Sequence, residues 1–201
     1  MWQGDLCFGP VRDGQGTVQG LDRIPGWAGL PDLDEAGPRA IAAYFRTYGP
    51  ATADHVRYWL GHGLSAGGRL RGWLRDVSER LVTVDVEGDE ALVLAEDLDE
   101  LAGTSPSPTV RLLPAADPWV MGPGTADAHV VPPARRPLVT RGANPVLSGG
   151  VVAGTWTSRK GVLTVSWFAE ARAPDPDRLH GEAARLAAAT GTELDLVLTT
   201  A

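Results

Sequence analysis

Cysteine is almost absent. The single Cys7 excludes an internal disulfide framework and any multi-cysteine zinc site; flanked by Leu6 and Phe8, it reads as a buried strand residue. No apolar run approaches the ~18 residues of a membrane span, and Met1 to Gly9 has neither a basic start nor a long apolar stretch. A cytoplasmic protein without a membrane partner is expected. The familiar catalytic loops are missing too: there is no Walker loop, no G-x-G-x-x-G after a strand and no G-x-S-x-G elbow. The glycine-rich stretch Gly14 to Gly20 lacks the strand and helix of a phosphate cradle. His55, His62, His129 and His180 are scattered, without a metal-like partner at helical spacing, and Asp177 with His180 reads as exposed helix charge. No metal and no cofactor are expected.

What is present suits a globular protein. With 201 residues, 43% hydrophobic and 21% charged, the chain can bury a real core as one large domain or two small ones. Its net charge of −7 argues against a general nucleic-acid binder, since phosphate contacts need Lys and Arg. The charge is uneven, however. Asp85 to Glu100 holds eight carboxylates and no cation, whereas Arg111 to Arg172 holds seven basic residues against Asp117, Asp127 and Glu170.

Residues 1–34 read as a short strand at Leu6 to Phe8 followed by a loop, the tail of something preceding. Helical periodicity begins after Asp32 to Glu35, with Ile41, Tyr44, Phe45 and Tyr48 at the spacing of a buried face. Gly49-Pro50 ends that helix. Thr52 can cap a second helix that buries Val56, Trp59 and Leu60 and closes at Gly61. Ser65 can cap a third, with Leu70, Trp73, Leu74 and Val77 inward. The period then shortens to two over Leu81 to Val86 and Ala91 to Leu94 around the turn Glu87-Gly88-Asp89, the pattern of a β-hairpin. Helix, helix, helix, hairpin is the winged helix-turn-helix order. Residues 35–102 are therefore expected to form a winged helix and 103–109 a linker. Residues 110–201 are expected to form a small α+β unit of antiparallel strands with a C-terminal helix: a strand at Val110 to Leu113, a long Pro/Gly/Ala stretch to about Asn144, strands at Val151 to Trp156 and Val162 to Phe168, a helix from Asp175 to about Ala189, and a strand at Glu193 to Leu198. The fold class is α+β.

In a helix-turn-helix the third helix enters the major groove. Turning Leu70, Trp73, Leu74 and Val77 inward leaves Arg71, Arg75, Gly68 and Gly72 outward, with Arg69 on the flank. The two glycines, four residues apart, would let the backbone approach DNA closely. The candidate DNA contacts are Ser65, Arg69, Arg71 and Arg75 here, and Arg135, Arg136, Arg141, Arg159 and Lys160 in the later basic region. The hairpin opposes this reading, because Asp85, Glu87, Asp89 and Glu90 would be repelled by phosphate; either it points away from the duplex, or the winged helix serves as scaffold or dimer surface and another part of a larger protein holds the DNA.

Four segments in order are Leu6-Cys7-Phe8-Gly9-Pro10, Tyr48-Gly49-Pro50-Ala51-Thr52-Ala53-Asp54 leading to Trp59, Val110-Arg111-Leu112-Leu113-Pro114 with Asp117-Pro118, and Val152-Ala153-Gly154-Thr155-Trp156. Together they resemble the second half of the winged-helix family that includes the AlkZ-like and YcaQ-like DNA glycosylases. The resemblance implies tandem winged helices around a DNA channel, double-stranded DNA as partner, and excision of alkylated bases or unhooking of interstrand crosslinks. It also implies a catalytic Gln-x-Gln motif, but the glutamines here are Gln3, Gln15 and Gln19, none with a second two residues away. No catalytic residue is carried over. The expected function is a DNA-binding relative of these glycosylases without catalysis in this chain. The alternatives are an active glycosylase completed by a missing N-terminal segment or partner, and a protein-contact or regulator module. A start cut away from a preceding winged helix would leave Trp2, Leu6, Cys7, Phe8 and Trp27 uncovered and drive self-association.

Overall fold

The computed structural model describes residues 5–61 and 67–201. The chain opens not on a strand and loop but on a hairpin, β1 (Leu6–Arg12) against β2 (Gln15–Gly20). The Asp13-Gly14 turn has both residues at positive φ, 51° and 74°, the two-residue turn whose twist matches paired strands. Phe8 pairs across to Val18, yet Leu6, Phe8, Val11 and Val18 are all exposed, Phe8 at 77%. Cys7 is half-buried, not buried as expected, because among the described residues no layer encloses the side chains of this hairpin.

Helix α1 (Leu33–Tyr48) starts where the Asp32 side chain accepts the N–H groups of Asp34 and Glu35, satisfying donors that have no partner in the helix itself. Its apolar face, with Ile41, Tyr44 and Phe45, meets Val56 of α2 (Ala53–Gly61), Leu70 of α3 (Gly67–Asp76), Val77 and Leu94. The antiparallel hairpin β3 (Leu81–Val86) and β4 (Asp89–Leu94) turns at Glu87-Gly88. Ala51 and Leu92 exchange backbone hydrogen bonds of 3.0 and 2.8 Å, fixing the α1–α2 junction to this hairpin. After the short α4 (Leu98–Gly103), residues 104–109 carry no regular structure.

The remaining strands form one sheet in the order β5 (Val110–Leu112), β6 (Asn144–Ser148), β7 (Val151–Arg159), β8 (Val162–Trp167), β9 (Asp195–Thr200). The sheet is mixed, correcting the expectation of antiparallel strands: α7 (Pro176–Thr190) carries the chain back so that β9 lies parallel to β8, the kind of crossover that parallel neighbours require. Alternate residues divide between two cores. Val110, Leu112, Val146, Ala153, Leu163 and Val165 pack with Leu179 and Ala183 of α7, while Leu147, Val152 and Phe168 pack with Val120, Val131 and Val139. The Pro/Gly/Ala stretch is thus no open loop. It holds α5 (Pro118–Met121) and α6 (Arg136–Thr140) and covers that second face.

The edge strand β5 is tied to α7 by Glu182, buried although charged. It accepts the Leu112 N–H at 2.9 Å and a two-pronged Arg185 contact at 2.6 and 2.7 Å, with Arg111 at 3.4 Å. Burial pushes its carboxyl upward, but the Arg185 and Leu112 hydrogen bonds and the two guanidinium charges outweigh it and hold it below the usual range. The helical part meets the segment that covers the sheet through Tyr44, whose hydroxyl donates to the carbonyl of Gly122 at the end of α5 at 3.0 Å; burial holds this phenol well above its ordinary range. A Cβ on Gly122 would lie 2.2 Å from the Tyr48 ring and one on Gly124 3.0 Å from Tyr58, so these glycines admit the aromatic rings of α1 and α2.

Candidate nucleic-acid interface

The α3 helix is amphipathic in the sense its spacing predicts. Leu70 and Val77 are buried, Trp73 and Leu74 half-buried, and Arg69, Arg71 and Arg75 exposed. Arg69 stands 3.9 Å from Asp34, and the Trp73 indole N–H donates to the same carboxylate at 3.3 Å. Arg71 and Arg75 have no ion pair among the described residues. Among the described residues a Cβ built on Gly72 would touch nothing within 4 Å, and one on Gly68 only the tip of Arg71 at 4.0 Å. The outer face therefore has bare backbone between two arginines. Ser65 lies outside the described residues.

The later basic residues do not share one fate. Arg135 is taken up internally: its guanidinium forms two hydrogen bonds to Glu170 at 2.7 and 2.8 Å, a third to the Ala201 carbonyl at 3.0 Å, and lies 4.3 Å over the Phe168 ring. The paired Arg135 pulls the Glu170 carboxyl down to about 2. Its sequence context, one more arginine in a basic region, gave no sign of this partner 35 residues away. Arg136 and Arg141 flank α6, and Arg159 and Lys160 form the β7–β8 turn. All four are exposed and without an ion pair among the described residues.

The acidic β3–β4 hairpin is engaged at its tip. Glu87 stands 4.0 Å from His129 Nε2, His129 Nδ1 is 3.1 Å from Asp127, and Asp127 is 3.9 Å from His55 Nε2. Histidines scattered along the chain thus meet around one carboxylate, between α2, the hairpin and residues 123–130. Sequence reading missed this because the spacing is set by tertiary packing. Among the described residues no group of three or more His, Cys, Asp or Glu has the geometry to hold a metal ion. Further along, Glu96 binds Arg80 and, at 3.0 Å, Arg46, so part of the acidic stretch is neutralised locally.

Residues 1–189 match the family described as DNA glycosylase AlkZ-like. The chain belongs to the AlkZ-like DNA glycosylase family. It is 38% identical to an interstrand DNA cross-link repair glycosylase of Streptomyces sahachiroi, an alignment covering 94% of this chain and 53% of that protein. The solved structure of the S. sahachiroi DNA glycosylase AlkZ superimposes with a TM-score of 0.88 at 35% identity, over 98% of this chain and 55% of that one. The chain thus spans about half the length of the AlkZ relatives it matches. No helix among the described residues is long and apolar enough to cross a membrane.

Proposed function

We propose that this AlkZ-like chain binds double-stranded DNA through a winged helix over residues 35–102, joined by the linker 103–109 to the α+β unit 110–201, and that α3 enters the major groove. The observation that carries the reading is the outer face of α3, where Arg71 and Arg75 flank a backbone left open at Gly68 and Gly72. Arginines so placed reach phosphates on either side of a groove, and a helix without Cβ atoms on that face docks closer. Arg69 serves at the flank, and Arg136, Arg141, Arg159 and Lys160 supply further phosphate contacts. Arg135 has no such role in this reading, because its guanidinium is occupied by Glu170. The acidic wing takes no part in this interface: it points away from the duplex, its exposed tip carboxylate 4.0 Å from His129 Nε2.

The relative's name assigns it cross-link repair; for this chain we propose DNA binding without base excision, since Gln3, Gln15 and Gln19 form no Gln-x-Gln. Fluorescence anisotropy of a duplex across a salt series is the test. Arg71→Ala with Arg75→Ala weakens binding across sequences and flattens the salt slope by about two units if both arginines touch phosphate. Unchanged affinity and slope would remove α3 from the interface.

A further inference from the structure

Between the linker and the β6–β7 turn lies a cleft of ≈ 620 Å³, walled by Pro106 and Trp119 and floored by Leu113 and Leu147. Trp119 is 52% exposed but held. Its indole N–H donates to the Gly150 carbonyl at 3.3 Å, and its backbone N–H donates to Asp117 Oδ1 at 2.9 Å. The turn beside it is Gly149-Gly150, both at positive φ, so no side chain rises from the turn to screen the ring. Arg111 lines the same cleft. One of its terminal nitrogens serves the Val110 carbonyl and Glu182, and its side chain stays 49% exposed.

An exposed aromatic ring is usually a rotamer ensemble that must be ordered when something binds. The Trp119 ring is already held by its indole hydrogen bond to Gly150, on a backbone fixed by the Asp117 cap, so a planar partner stacks on it with less of that entropic loss. Asp117 also lines the cleft, with Oδ1 taken by the Trp119 backbone N–H; an apolar floor with the Arg111 cation at the rim matches a ligand that is flat and uncharged at one end and anionic at the other. We propose that this cleft binds an unpaired purine nucleotide, the base stacked on Trp119 and the phosphate directed to Arg111. A base within a duplex is already stacked on both faces, so the ligand is an extruded base, a single-stranded flank or a free mononucleotide. The site uses none of the α3 residues and stands whether or not α3 binds DNA.

The probe is dAMP, followed by the indole N–H and backbone amide signals in two-dimensional NMR. Loss of one indole signal in Trp119→Phe assigns Trp119. The expected result is a saturable shift of that signal and of the Gly150 amide, with the other indoles unmoved. Deoxyadenosine, which lacks the phosphate, still shifts it, and deoxyribose 5-phosphate does not. Trp119→Ala, followed at the Gly150 amide, weakens dAMP about 5- to 150-fold, the worth of one base–aromatic stack. Arg111→Gln weakens dAMP but leaves deoxyadenosine unchanged. Unmoved indoles in Trp119→Ala and Arg111→Gln show that the variants are folded. No shift with millimolar dAMP overturns the proposal, as does an equal shift with deoxyribose 5-phosphate, which would mark a bare anion site. Saturation by a polyproline peptide without any response to dAMP overturns it in favour of a peptide groove.

Discussion

Gly37→Ala reverses the usual sign of a glycine-to-alanine change in a helix. Gly37 is buried in α1, and a Cβ there would lie 2.1, 2.2 and 2.6 Å from three atoms of the Trp73 ring. Carbon atoms in contact prefer roughly 3.5–4.0 Å, so the indole must retreat by more than an ångström or the α1–α3 packing must open. Overpacking of this kind costs about 1–3 kcal/mol. Alanine returns roughly 0.8–1 kcal/mol of helix propensity. The Trp73–Asp34 hydrogen bond, which the retreat breaks, is solvent-exposed and adds about 0.5 kcal/mol or less. The net is a loss of roughly 0–2.7 kcal/mol, centred near 1.4, and at about 2–4 °C per kcal/mol for a chain of this size the melting temperature falls by a few degrees. Gly181 supplies the control: it lies in α7 and its Cβ would meet nothing within 4 Å, so Gly181→Ala raises stability by about 0.8–1 kcal/mol. Urea unfolding of both variants beside the parent is the assay. If Gly37→Ala also stabilises, Trp73 does not pack on α1 as described and the reasoning is refuted.

Gly68→Ala with Gly72→Ala has space to fit among the described residues and raises stability by about 1 kcal/mol at the interior Gly72, with less at Gly68 in the first turn, yet weakens duplex affinity in the anisotropy assay if the bare helix face is what approaches DNA; unchanged affinity would refute close docking. Glu182→Ala leaves the Leu112 N–H without its acceptor and costs about 1–3 kcal/mol in urea unfolding, whereas Glu182→Gln keeps an acceptor there and costs less; equal losses would show that the charge alone matters. Because Glu182 is held below its ordinary value, its contribution is fully present above about pH 4.3, the unfolded carboxylate value, and is lost as pH falls through the lower folded value. Glu182→Gln should therefore flatten the acid limb of a stability–pH curve, and an unchanged limb would contradict the shift. The exposed apolar face of β1–β2 predicts self-association: sedimentation at rising concentration shows it, Phe8→Ser with Val18→Ser reduces it, and a monomer at all concentrations would refute it.

The helical half was legible because its code is local. The inward face of α1 and α3, the Asp32 lead-in and the Glu87-Gly88 turn all lie within a few residues of what they specify. The β1–β2 hairpin carried an equally local signal in Asp13-Gly14, one of the stronger short hairpin dipeptides, but the apolar alternation that should flank it is thin: Gly16 and Thr17 separate Gln15 from Val18. Strand direction was not legible. Val110 to Leu113 and Glu193 to Leu198 look alike as apolar runs, and only the placement of α7 between β8 and β9 makes the last pair parallel. The candidate site divided the same way. Exposure on α3 follows from helical phase, whereas Arg135 could not be separated from Arg136 by any property of the chain near them, because its partner Glu170 and the Phe168 ring beneath it come from beyond β8.

That division bears on how an acidic protein can present a DNA surface. Long-range repulsion depends on net charge, but within a Debye length of about 8–10 Å it is the local arrangement that a phosphate meets. Glu96 is occupied by Arg46 and Arg80, Glu87 faces His129, and Glu170 and Glu182 hold arginines of their own. The Glu96, Glu170 and Glu182 pairings each withdraw a carboxylate from the outward field, but they withdraw arginines as well, so pairing leaves the net charge of −7 as it was. What it changes is position. The cations without a carboxylate partner among the described residues include Arg71 and Arg75 on α3 and Arg136, Arg141, Arg159 and Lys160 beyond the linker. A duplex can therefore be attracted at short range by a chain that repels it at long range. Association should accelerate with added salt, as the repulsion is screened, before affinity declines through loss of the phosphate contacts. Stopped-flow anisotropy across a salt series reads both: an association rate that falls from the lowest salt onward would show that the local cations dominate at every distance.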